Sequence, residues 1–94
     1  MASIFVLTWE LSLPGCRSLK RKRATVLSLK DRLRHNFKVS VAETDFQDVT
    51  DRAELTVALV TSEGRLGESI TDKLDRFVCE KGGAVVTSSR RERV

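Results

Sequence analysis

The chain contains no tyrosine, one tryptophan, one proline and one histidine in 94 residues, and aromatic residues make up only 5% of it. A single proline argues against a disordered linker. His35 has no second histidine and no spaced nucleophile with which to build a triad, so no catalytic residue is assigned. Cys16 and Cys79 lie far apart, match no zinc or redox spacing, and are expected to be free thiols. Ferredoxin-like copper carriers place a C-x-x-C pair where this chain has Cys16 alone, so metal transfer is set aside and no cofactor is assigned. No stretch approaches the roughly 20 apolar residues of a membrane span. The opening Met1-Ala2-Ser3 has no basic lead, and Thr8 and Glu10 interrupt the apolar run that begins at Ile4. The expectation is a cytoplasmic chain without a secretory signal or a membrane partner.

What is present suffices for one modest core, with 40% of residues hydrophobic. Phe5, Leu7, Trp9, Leu11 and Leu13 recur with period two, which predicts a strand with one buried face. Pro14-Gly15 ends it, and Ser18 stands as the N-cap of a helix whose Leu19, Val26, Leu29, Leu33 and Phe37 share one side. Val39, Val41 and Ala42 begin a second strand that runs into Glu43 and Asp45. Phe46 to Asp51 reads as a polar connector, and Ala53 to Val60 as a third, central strand. Ile70, Leu74, Phe77 and Val78 give a second amphipathic helix, closed by Gly82-Gly83. Ala84 to Thr87 is a short last strand. The order β-α-β-β-α-β predicts the ferredoxin-like plait, an α+β fold with a four-stranded antiparallel sheet and two helices on one face. Residues 1–89 form the single domain, and residues 90–94 are expected to be a frayed basic tail. The apolar ends of both central strands tolerate burial on either face.

Charge is segregated along this chain. Residues 17 to 38 hold Arg17, Lys20, Arg21, Lys22, Arg23, Lys30, Arg32, Arg34 and Lys38 against Asp31 alone, a net of +8. Residues 39 to 54 hold Glu43, Asp45, Asp48, Asp51 and Glu54 against Arg52, a net of −4. A solvated helix gains by interleaving signs at i,i+4, whereas the run Lys20 to Arg23 repels itself until a polyanion relieves it. One reading is a surface for RNA phosphates made of Arg17, Lys20, Arg21, Lys22, Arg23, Lys30 and Arg34. The other is that these cations lie over the sheet edge and pair with the acidic second strand. The residues leave both open.

The segments Pro14-Gly15, Arg17-Ser18-Leu19-Lys20, Lys22-Arg23, Ser28 to Arg34, Val39 to Glu43 and Gln47-Asp48 occur in order. In them the chain resembles the YlxP-like family, small bacterial proteins of unassigned function, nearly end to end. Trp9 and Phe46 depart from that pattern. The resemblance implies a ferredoxin-like fold and genes beside those for translation initiation and ribosome maturation. It therefore decides for RNA, ribosomal RNA first.

The loop around Gly15 and Ser18 delivers N–H groups to a helix N-terminus beside Arg17 and Lys20, an arrangement that attracts an anion. It is similar to the acylphosphatase loop, yet that reaction needs an asparagine on a central strand, and Asn36 lies at the far end of the helix. The leading alternative there is an ordinary cap. Glu43, Asp45 and Asp48 can meet a partner or the basic helix, and no metal is assigned to them. RNA-recognition-motif domains stack bases on sheet aromatics, but Phe5 and Trp9 belong to the core-facing side, so no stacking platform is expected. The function expected is a non-enzymatic RNA-binding protein that reads shape and phosphates. The competing expectation is an oligomeric or ligand-binding module, with a second copy meeting the open sheet face at Ile4, Val6, Thr8, Thr56, Ala58 and Val60.

Overall fold

The computed structural model describes residues 1–94, in the order β1 (Ser3–Ser12), α1 (Leu19–Phe37), β2 (Ser40–Asp45), β3 (Arg52–Thr61), α2 (Gly64–Lys81) and β4 (Val85–Arg93). The four strands form one antiparallel sheet in the order β2-β3-β1-β4. Both helices pack on one face of it, so the fold is the ferredoxin-like plait.

Period-two burial sets the central pairing. Phe5 stands opposite Leu59, Leu7 opposite Val57 and Trp9 opposite Leu55, all buried against the helices. Phe5 and Trp9 are thus core residues, and the indole N–H of Trp9 donates to Asp75 Oδ1 on α2 at 2.9 Å. The α1 stripe Val26, Leu29, Leu33 and the α2 pair Leu74, Val78 close the other side of the core. Gly67 lets α2 approach β1, since a Cβ there would overlap the Phe5 ring. Ser18 caps α1 as expected, its hydroxyl accepting from the Arg21 amide at 3.3 Å.

The C-terminus departs from expectation. Residues 90–93 do not fray but continue β4, with Arg90 paired to Thr8, Arg91 to Leu7 and Arg93 to Phe5. The Val94 amide adds a bond to the Ile4 carbonyl at 2.8 Å. Side chains on this half of β4 stay exposed, so its cohesion comes mainly from main-chain pairing, helped by Arg91 on Asp72 and Arg93 over the Phe5 ring. Three arginines suit an edge position, where charge discourages further strand addition.

Candidate nucleic-acid interface

The α1 cations divide into one that is locked inside the fold and several that are free. Lys22 is fully buried, on the same helical side as Val26, Leu29 and Leu33. Its ammonium lies 2.8 Å from Glu43 Oε2, donates to the Phe46 carbonyl, and reaches the Gln47 carbonyl at 3.4 Å. Burial of a cation is tolerable only with such a set of acceptors. Lys22 therefore leaves the group expected to meet phosphates. It fastens the first turns of α1 to the end of β2, where the ladder is irregular between Glu43 and Asp45 and Phe46 adopts φ 62°. Helical spacing could have revealed it, because Lys22 precedes Val26, Leu29 and Leu33 by four, seven and eleven residues.

Arg17, Lys20, Arg21 and Lys30 have no carboxylate within 4.0 Å. Arg23 reaches Asp48 only at 3.9 Å, with both groups largely in water, a pair worth less than about 1 kcal/mol. Arg34 sits 3.4 Å from Asp31 and donates to the Val41 carbonyl at 3.1 Å, so part of its fork is committed. At 100° per residue, Arg23, Lys30 and Arg34 fall within about 40° of each other along the flank of α1 that overlooks β2, over about 16 Å of helix axis. Arg21 lies on the opposite flank, lining an open depression of ≈ 480 Å³ with Pro14, Gly15, Cys16 and Gly83.

The loop expected to hold an anion is satisfied only in part, since the Arg17 and Ser18 amides find no acceptor within the chain. Gly15 takes φ +76°, the Cys16 amide bonds the Leu13 carbonyl at 3.1 Å, and the Ser18 hydroxyl is used as the cap. The three acids expected to meet a partner are divided as well. Glu43 is committed to Lys22, Asp48 lies loosely beside Arg23, and Asp45 accepts the Phe46 amide at 2.7 Å, makes no ion pair, and acts on Arg52 only from a distance.

Elsewhere, Arg52 stacks 4.1 Å over the Phe46 ring and pairs with Glu10. Its hydrogen bond with Glu10 pushes its pKa further up, with Glu10, Asp51 and Asp45 adding to the effect against desolvation. Desolvation, then Asp75 and Glu80, pushes the Cys79 thiol up. Both cysteines are free. No three His, Cys, Asp or Glu side chains converge on a common point, and no helix is long and apolar enough to cross a membrane.

Residues 4–91 match the sequence model of a family described as "Protein of unknown function (DUF503)". No curated protein matches the chain. Among solved structures it is similar to the periplasmic protease PqqL from Escherichia coli, at 11% identity and a TM-score of 0.57. That match covers 84% of this chain but 10% of the protease, so the chain spans about a tenth of that protein's length. The designed protein Foldit4 aligns at 10% identity and TM-score 0.55, over 98% of this chain and 97% of its own. The 30S ribosomal protein S6 from Thermotoga maritima aligns at 10% identity and TM-score 0.54, over 100% and 89%. At these identities the likeness is one of fold.

Proposed function

We propose that this chain, which belongs to the DUF503 family of unknown function, docks on structured RNA, ribosomal RNA first, through phosphates held along α1. The observation that carries this reading is the set of unquenched cations. Arg17, Lys20, Arg21 and Lys30 lack a carboxylate partner, and Arg23 and Arg34 keep donors free. Each phosphate they neutralise releases condensed counterions, the main source of sequence-independent affinity. Their mounting on a rigid helix favours a structured target over a flexible strand. The resemblance to the YlxP-like proteins is compatible with the family, and the translation-gene neighbourhood it implies supports a ribosome-associated role.

Co-sedimentation with ribosomes at graded salt tests the proposal. Lys20→Glu with Arg23→Glu is expected to abolish pelleting while the helical circular dichroism is retained. Both side chains are exposed, so neither change removes core packing. A double variant that pellets like the parent overturns the reading.

A further inference from the structure

Of the four phenylalanines, three are accounted for by packing: Phe5 is buried in the core, and Phe37 and Phe77 lean on the core and on each other. Phe46 is different. It sits in the β2–β3 connection, half-buried and outside the core cluster, yet its ring is held in a set orientation. The Arg52 guanidinium lies 4.1 Å from the ring centroid, and Glu10 on β1 fixes Arg52 in turn. No second cation or aromatic ring covers the other face. The backbone beneath is pinned from both sides. The Phe46 amide donates to Asp45 Oδ1 at 2.7 Å, and the Phe46 carbonyl accepts from the Val49 amide at 3.0 Å and from the Lys22 ammonium. Phe46 takes φ 62°, a region that a bulky side chain adopts only where its surroundings impose it.

From this arrangement we infer that Phe46 is a stacking platform for one unpaired base of the RNA, the base lying on the ring face away from Arg52. The inference rests on the RNA reading and adds to it the class of RNA, a duplex interrupted by an unpaired nucleotide. Splayed-out bases are held by stacking on aromatic rings, and a ring fixed beforehand loses little freedom when the base arrives. The platform borders the phosphate surface. Lys22, whose ammonium meets the Phe46 carbonyl, precedes Arg23 in α1, and Asp48 lies 3.9 Å from Arg23. A strand running along Arg34, Lys30 and Arg23 therefore reaches the Phe46 loop at its Arg23 end. Asp45, Asp48 and Asp51 flank the ring in sequence. Their charge turns phosphates away from the loop, so the group that enters is an uncharged base while its phosphates stay on α1. Stacking accepts any base, because each has a π-face.

Fluorescence anisotropy with two RNA duplexes that have the same number of phosphates, one fully paired and one with a bulged nucleotide, tests it. The parent is expected to bind the bulged duplex about tenfold more tightly. Phe46→Leu is expected to bind both alike at an unchanged salt slope, because stacking releases no counterion. Phe46→Trp is expected to keep the preference, and the bulged duplex alone to quench the new indole, with Trp9, buried and bonded to Asp75, as a constant background. A parent without preference, a Phe46→Leu variant that keeps the parental preference, or an indole at position 46 that the bulged duplex leaves unquenched overturns the inference. If Lys20→Ala with Arg23→Ala still weakens binding in that case, the RNA reading stands without the platform. A parent that binds neither duplex overturns both.

Discussion

At Lys22 an ammonium group with no exposed surface is held by one carboxylate and two main-chain carbonyls. Removing one member of a buried pair leaves the other charge uncompensated, at about 3–5 kcal/mol. A domain of this size has only about 5–15 kcal/mol of stability. The Glu43 side chain retains 15% exposure, so water reaches it and the loss falls toward the lower bound. Lys22→Met is expected to lower the unfolding free energy by about 3 kcal/mol in urea denaturation. Adding Glu43→Leu removes the stranded carboxylate and is expected to recover part of that loss. Recovery stays incomplete because the Phe46 and Gln47 carbonyls still lack their donor. Strictly additive losses would show that the two groups do not act as a pair.

Among the elements, β4 depends most on main-chain pairing. Its residues 90–93 cover the Ile4 to Thr8 half of β1, with Arg93 stacked 5.4 Å from the Phe5 ring and Arg91 bonded to Asp72 at 2.9 Å. Ending the chain at Ser89 would turn Ile4-Phe5-Val6-Leu7 into an unpaired apolar edge, a template for aggregation. Losing several ladder bonds of about 1 kcal/mol each is expected to lower the urea midpoint. The truncated chain is also expected to aggregate on heating, as read by light scattering, and an unchanged midpoint would mean that this half of β4 contributes nothing. The same element marks where sequence reading stopped. β1, α1 and α2 were legible because each buries one face, so period and burial coincide in Phe5 to Leu13 and in Val26, Leu29 and Leu33. Residues 90–93 bury no face, and a ladder of amides leaves no trace in side-chain type. Lys22 was obscured differently: its charge placed it with the surface cations, while its spacing placed it in the core. Which cations would find carboxylates depended on where the β2–β3 connection folded, a tertiary fact that helix periodicity does not contain.

Taken whole, the molecule is a two-layer object with different chemistry on its two outer surfaces. The helical layer carries the free cations of α1. The sheet layer carries Ile4, Val6, Ala58 and Val60 around internally bonded threonines. Substitutions more than about 7–10 Å apart without shared partners add independently, and the sheet and its core lie between these two surfaces. Changes on one surface should therefore leave the other unaffected. Binding to an RNA hairpin, followed by fluorescence anisotropy at several salt concentrations, gives a slope that counts neutralised phosphates at about 0.7–0.9 each. Lys20→Ala with Arg23→Ala is expected to make that slope shallower by about 1.5. Val60→Glu, on the exposed face of the sheet, is expected to leave the slope unchanged. Lys22→Met, under conditions where it remains folded, is expected to keep the parental slope, because a lysine enclosed by protein acceptors has no counterion to release. A shallower slope in Lys22→Met would place that ammonium on the RNA after all. An equal loss in Val60→Glu would mean that the sheet, and not α1, meets the phosphates.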